Sequence, residues 1–495
     1  MSVPSALPET ESLPEALPGA APGARPGNAA REPAGQPSTV LGGRAAAVLA
    51  VLCGAIFLEG IDVAMLNVAL PSIRTDLGMS TGALSWVLSA YVLGYGGFML
   101  LGGRTADLLG RRRMFLFWLT VFVLFSGLGG LATDGWVLIL ARFVTGLSAA
   151  FMTPAGLSII TTAFPEGPQR NRALLVYAGT AAAGFSLGLV VGGLLTAVSW
   201  RWVFFAPVLL AGALLAAAVP LIPRDTAPEQ AGGGRFDLAG AATATGAMLL
   251  LVYGVVRIGE PGAAAELTAA VLASGLALLA AFVAIERRSS SPLVRLGILR
   301  SGPLLRANLG AVLFAGSFFG FQFTATLYLQ DLRGWSPLQT GLALLAIGVD
   351  SVLAPTLTPK LVERFGNARV ILGGFLLAAL SYGLFLPVGA DWTYPMMFPT
   401  MLLTGLAFAL AYGPLTIAAT EGVAEEEQGL AGGLLNTSFQ FGAALGLSVV
   451  TTVNLAALGS GASTLEGFRA ALVVPVASAV LGAVVAATGA GRRRA

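Results

Sequence analysis

The chain has 495 residues, of which 11% are charged and 56% hydrophobic, with a mean hydropathy of +0.82 and a formal net charge of +3. A soluble chain carries about a quarter charged residues and does not repeat twenty-residue apolar runs along most of its length, so a soluble globular protein is excluded. Histidine is absent and Cys53 is the single cysteine, which excludes His-based metal sites, Cys clusters and Ser-His-Asp or Cys-His nucleophilic machinery. Proton chemistry must therefore run on Asp and Glu, with Arg to tune them. Lys360 is the only lysine, and this Arg bias with the Ala/Gly richness points to a GC-rich bacterial genome.

Residues 1–43 are rich in Pro, Ala and Gly and contain no apolar run. Without a basic start and a short apolar stretch they are expected to form a disordered cytoplasmic tail, solvated or docking a partner. Apolar runs then predict spans at 45–70, 82–102, 113–132, 136–162, 172–197, 202–222, 237–257, 266–285, 306–329, 338–361, 369–388, 394–419, 430–456 and 469–490. Each is long enough to cross about 30 Å of hydrocarbon. The expected fold class is an all-α polytopic membrane protein with fourteen transmembrane helices.

Arginine placement orients the spans. With the N-terminus inside, the cytoplasmic segments carry 22 of the 28 Lys and Arg residues. The outer loops hold only Arg74, Arg201, Arg257, Arg333 and Arg469, and Arg142 lies within a span. That asymmetry places both termini in the cytoplasm.

An internal repeat is visible in two loops. Gly103-Arg-Thr-Ala-Asp107-Leu-Leu-Gly110-Arg111-Arg112-Arg113 follows the second span. Leu361-Val-Glu363-Arg364-Phe-Gly366-Asn-Ala-Arg369 follows the tenth and echoes its order of acid, glycine and base. The echo comes eight spans later, so two six-helix halves with an inserted pair are expected. The divisions are a tail at 1–43, an N-terminal bundle at 44–222, the inserted pair with its linkers at 223–305, a C-terminal bundle at 306–490 and a basic tail at 491–495.

Several motifs together resemble the major facilitator superfamily, in its fourteen-helix drug:proton antiporter branch (EmrB/QacA type), over nearly everything after residue 44. Gly103, Asp107, Gly110 and Arg111 match the signature between the second and third helices, while Thr105 and Leu108 depart from it. Asp62-Val-Ala-Met-Leu-Asn67-Val68-Ala69-Leu70-Pro71 is similar to the first-helix signature, and Arg142 with Gly146 to that of the fourth. Gly184, Gly188, Gly192 and Gly193 resemble the antiporter motif of the fifth helix, with Leu189 where a proline is usual. The run from Gly429 through Gly433, Asn436, Gln440 and Gly446 also reads like this branch. The resemblance implies a major facilitator fold, rocking of helices 1–6 against 9–14, and proton-coupled export from a bacterial cell membrane.

Charges inside spans are costly, about 2.5–3.5 kcal/mol each on insertion, and mark function by default. Glu59, Asp62 and Asp350 are the acids well inside the predicted spans. By rise per residue Asp62 lies roughly 10 Å from the outer end of its helix and Arg142 roughly 9 Å down the fourth, so they share a level. Glu59 lies one turn deeper on the same face, and Asp350 reaches a similar depth from the other half. Asp62, Glu59, Arg142 and Asp350 are therefore the expected proton-coupling set, with a purely structural Asp62–Arg142 pair as the alternative. Gly103, Asp107, Gly110, Arg111 and Arg112 are expected to form a cytoplasmic gate, or else only a positive-inside anchor. The glycines at 184, 188, 192 and 193 share one helical face and let another backbone approach. Asn67, Tyr91, Met152, Gln322, Asn436 and Gln440 are the expected substrate-cavity residues.

The expected partners are protons, the lipid bilayer and a small cationic or lipophilic substrate, with no nucleic acid and a monomeric chain. No cofactor is expected, the proton gradient being the energy source, since no Gly-x4-Gly-Lys-Ser/Thr loop is present. A dedicated exporter of one secondary metabolite, an importer, and a membrane-embedded enzyme or receptor stay open as alternatives. The missing histidine and the lack of an extramembrane catalytic loop weigh against an enzyme.

Overall fold

In a computed structural model the described residues are 43–164, 168–224, 238–258, 264–289, 297, 301–421, 423 and 428–490. The predicted tails lie outside them, except that Gly43 already opens the first helix. In chain order the helices are α1 (Gly43–Leu77), α2 (Thr81–Leu109), α3 (Arg111–Gly130), α4 (Gly135–Ala163), α5 (Pro168–Val198) and α6 (Trp202–Leu221). They continue as α7 (Leu238–Ile258), α8 (Ala265–Glu286) and α9 (Gly302–Leu327), which ends in a π turn over Tyr328–Leu332. Next come α10 (Pro337–Leu344), a 3-10 segment (Leu345–Val349), α11 (Asp350–Thr356) and α12 (Thr358–Phe365). Last are α13 (Asn367–Phe385), α14 (Tyr394–Thr420), α15 (Gln428–Gly459) and α16 (Thr464–Ala490).

No strand occurs among the described residues, and eleven of the helical segments there are long and apolar enough to cross a membrane. Their outer faces are as apolar as their inner ones, with Leu124, Leu209 and Val484 exposed. Only a lipid solvent stabilises that distribution, because helices satisfy their own backbone there. Polar side chains do their work at the ends. Ser80 caps α2 through Ala83 N at 3.1 Å, and Ser336 with Gln339 forms a capping box on α10.

Several observed helices outrun the predicted spans, α2 reaching Leu109 instead of 102, and two spans depart in ways that involve proline. The first runs on through Pro71 to Leu77 instead of stopping at 70. Proline deprives only the carbonyl four residues back of its donor, and neighbouring helices tolerate that inside a membrane. The tenth is broken, turning 3-10 at Leu345–Val349 and restarting twice. Pro359 in the first turn of α12 has no backbone donor to offer the turn before it, which fits the break at Leu357. Asp350 is the first residue after the 3-10 segment, at a junction of the kind that marks hinges.

Packing follows small residues. α1 lies against α5 and α6, α2 against α4, and α3 against α4 and α6. α9 packs on α14, α15 and α16, and α13 on α14 and α16. α8 lies on α7, and α7 touches both α2 and α15.

The two echoing loops share a backbone conformation. Gly110, between α2 and α3, has φ 99° and ψ 129°, and Gly366, between α12 and α13, has φ 83° and ψ 152°. L residues avoid this region at a cost of about 1–3 kcal/mol. Gly110→Ala and Gly366→Ala are each expected to lower stability by about that amount in detergent thermal unfolding. Gly432→Ala, where an added Cβ meets open space, serves as the unaffected control.

Candidate functional site

The centre of the site is an ion pair between α4 and α1. Arg142 Nη1 lies 2.6 Å from Asp62 Oδ2, with the two side chains 1% and 2% exposed. The guanidinium also sits over the ring of Tyr91 of α2, 4.4 Å from its centroid. Pairing and the ring quadrupole together make a buried guanidinium tolerable. Its Nε and Nη2 make no hydrogen bond among the described residues.

Glu59, one turn along α1, has separate partners. Its Oε1 accepts a short hydrogen bond from Thr153 Oγ1 of α4, and its Oε2 accepts one from Tyr95 Oη of α2 at 3.2 Å. Tyr95 Oη also lies 3.2 Å from Thr153 Oγ1, and its ring meets that of Tyr91 edge-on at 5.9 Å. Two carboxylates three residues apart are thus bridged by two tyrosines and held by two residues of α4. Arg142 and Thr153 are eleven residues apart, close to three full turns, so one face of α4 serves both acids. The sequence reading missed Thr153 and Tyr95, and that spacing was the signal available.

The glycines of α5 hold α1 in place. A Cβ on Gly184 would meet Phe57 O at 2.5 Å, one on Gly188 would meet Ile61 O at 2.8 Å, and one on Gly192 would meet Met65 Cα at 2.6 Å. All three therefore press on the stretch of α1 that carries Glu59 and Asp62. Gly193 points elsewhere, its added Cβ meeting Pro337 O at 2.7 Å and Leu338 Cα at 2.8 Å of α10. Further bonds join α1 to the chain after α9. Gln330 Nε2 donates to Val68 O at 2.8 Å, and Arg74 Nη2 lies 2.9 Å from Asp331 Oδ1. With Gly193, these contacts close the end of the bundle that carries the α1–α2 turn.

Gly103 lies within the last two turns of α2, Gly110 follows its end, and the Asp107 side chain lies outside those described. Arg111 Nη1 donates to Ser158 O of α4 at 3.4 Å, and Arg112 Nη2 donates to Val219 O of α6 at 2.6 Å. Both carbonyls lie near helix C-termini, where a cation is favoured.

Asp350 is 6% exposed and opens α11, which packs on α5 and α14. Asn67 turns back on its own helix, its Nδ2 donating to Val63 O at 3.0 Å. Met152 is buried beside Thr153. Gln322 is fully buried and its amide finds no partner among the described residues. Gln440 lies close to α2, its Cβ 3.1 Å from where one on Gly96 would stand, and Asn436 is half-buried on the same helix.

A run of aromatic rings joins α5, α9, α14 and α15. Phe408 and Tyr412 of α14 stack at 5.3 Å, Tyr412 meets Phe439 of α15 at 5.0 Å, and Phe319 meets Phe439 at 6.0 Å. Phe185 of α5 reaches Phe319 at 6.4 Å. Tyr412 is 38% exposed. None of these rings is among the cavity residues expected from the sequence, because aromatic residues in a span carry no mark separating a cavity wall from a lipid face.

An all-helical membrane protein with paired charges buried at mid-helix has the architecture of a transporter. The chain belongs to the Major Facilitator Superfamily, whose sequence profile matches residues 52–447. It is 35% identical over 453 residues to the puromycin resistance protein pur8 of Streptomyces alboniger, covering 87% of this chain and 88% of that protein. It is 36% identical over 426 residues to the cephamycin export protein CmcT of Amycolatopsis lactamdurans, covering 85% and 86%. Its fold matches the crystal structure of a mutant of the nucleoside transporter NupG with a TM-score of 0.65 at 12% identity, covering 91% of this chain and 100% of that one. The chain is thus a multi-pass transporter of the bacterial cell membrane.

Proposed function

We propose that this chain exports small amphiphilic drugs or antibiotics in exchange for protons, by alternating access. The observation that carries the reading is the mid-helix layer in which Glu59 and the Asp62–Arg142 pair lie together, beside the rings of Tyr95 and Tyr91. A substrate cation entering this layer competes with protons for the two carboxylates, and the rings offer it cation–π and apolar contact. Each proton supplies about 2.3 kcal/mol per 100 mV, enough for a gradient of tens-fold without nucleotide. The export and resistance names of the relatives support the direction of transport.

The topology we infer has fourteen crossings with both termini inside. To the eleven apolar segments it adds α2, α7 and the broken stretch α10–α12. The order is six helices, an inserted pair α7–α8, and six more, in a chain that works as a monomer. In this orientation the sealed end is the outer mouth, and Arg111 and Arg112 belong to the inner gate together with Asp107. Asp350, at the hinge of the tenth crossing, is the second half's acid. A dedicated exporter of one metabolite is the second reading, favoured by relatives whose names each carry a single antibiotic.

The test uses the purified protein in liposomes, with puromycin and a lipophilic cation as separate probes. Substrate addition is expected to release protons, and a protonophore to abolish uphill efflux. Efflux that persists unchanged with the protonophore overturns the antiport reading.

A further inference from the structure

A second cavity lies away from the acid layer, a groove of about 920 Å³ between α2, α3, α4 and α7. Its origin is legible in the side chains. Near the α1–α2 turn α7 is pressed onto α2, with Trp86 and Tyr253 at 5.7 Å. Toward the α2–α3 turn, α7 offers only short side chains such as Ala242 and Gly246, so the helices are left unfilled between them. The floor is Trp118 of α3 stacked on Phe151 of α4 at 4.4 Å and 17°. The indole Nε1–H of Trp118 makes no hydrogen bond among the described residues.

The rim sets the chemistry. Phe117 is 57% exposed there, and Arg113 stands at the same rim, exposed. Arg113 borders the groove. An apolar trough between spans with an exposed arginine along its rim is complementary to an acyl chain bearing an anionic head. It disfavours the cationic drug, which meets a like charge at the entrance.

We propose that this groove is a site for an anionic phospholipid of the cytoplasmic leaflet, its acyl chain over Trp118 and Phe151 and its phosphate against Arg113. The leaflet rests on the topology inferred above, but the binding itself does not depend on export. By this reading the lipid fills the seam between α7 and the helices α2 and α3, and so steadies the α7–α8 pair.

The experiment places the full-length protein in phosphatidylcholine vesicles containing a fixed fraction of acyl-brominated lipid, either phosphatidylglycerol or phosphatidylcholine, and reads tryptophan fluorescence. Brominated phosphatidylglycerol is expected to quench more strongly, and the excess to disappear in Trp118→Phe. Arg113→Gln is expected to weaken the preference for phosphatidylglycerol about fivefold. Equal quenching by the two lipids, or an excess that survives Arg113→Gln, overturns the proposal. Ala242→Phe fills the groove and is a second arm: native mass spectrometry is expected to find phosphatidylglycerol retained on wild type and lost from this variant. If Ala242→Phe blocks drug efflux yet keeps that lipid, the groove is a drug path and the lipid site is refuted. A lipid preference that behaves as expected in a chain without proton-coupled efflux leaves this site standing and removes the export reading instead.

Discussion

Asp62→Asn is expected to abolish substrate-induced proton release in liposomes, while equilibrium binding of a lipophilic cation falls about tenfold or less. The variant keeps the shape of the side chain and removes its charge and proton. Arg142 then faces a neutral amide in a site 1–2% exposed. Breaking a buried pair on one side costs about 3–5 kcal/mol, mostly from the charge left behind. Arg142→Met alone is therefore expected to reduce thermal stability sharply, and Asp62→Asn with Arg142→Met to recover much of it. A merely structural pair predicts the same stabilities but leaves the proton count per substrate unchanged in whatever Asp62→Asn protein folds. Unaltered stoichiometry in that variant would remove Asp62 from the coupling mechanism and leave Glu59 as the exchanging acid.

Gly193→Leu has the second large effect. Its added Cβ would stand 2.7 Å from Pro337 O and 2.8 Å from Leu338 Cα, and backbone atoms cannot yield as a side-chain tip can. Overpacking of this kind costs about 1–3 kcal/mol. Here the cost falls only on the arrangement in which α5 and α10 touch. Opening the contact removes the clash, so the population of the sealed state drops by about 5- to 150-fold while α1–α5 packing survives. Efflux is expected to fall by at least tenfold with near-normal expression and melting temperature. Gly188→Leu is the contrast, since its clash with Ile61 O and Ala64 Cβ lies inside one bundle and exists in every state. That variant is expected to lose folded protein. Equal expression loss in both would show that the α5–α10 contact is not a separable interface.

The parts of this structure that follow from hydropathy and from rise per residue were legible before any coordinates. Asp62 and Arg142 were placed at one level by counting 1.5 Å steps, and they are paired. The turns at Gly110 and Gly366 were matched by their order of acid, glycine and base, and both glycines share a backbone region. What escaped was whatever depends on helix rotation. Thr153 and Tyr95 hold Glu59, but threonine within a span most often bonds its own helix, as Thr145 and Thr326 do here. Phe408, Tyr412 and Phe439 could not be told from lipid-facing rings, since burial among helices and burial in lipid leave the same apolar letters in the sequence. The break in the tenth span was hidden by its unbroken hydropathy, although Pro359 lay within the predicted span.

The position of α7 has a mechanical consequence. It is one helix that touches α2 on one side and α15 on the other, and α8 rides on it. Two bodies that tilt against each other cannot both keep a fixed strut glued between them. Either α7 is the pivot about which they turn, or it parts from one of them at every stroke. Trp86 and Tyr253 hold one end of α7 against α2, while the short side chains around Ala242 leave the other end loosely packed on it. Cross-linking the slack end to α2 is expected to stop turnover, and cross-linking the pinned end to leave it running.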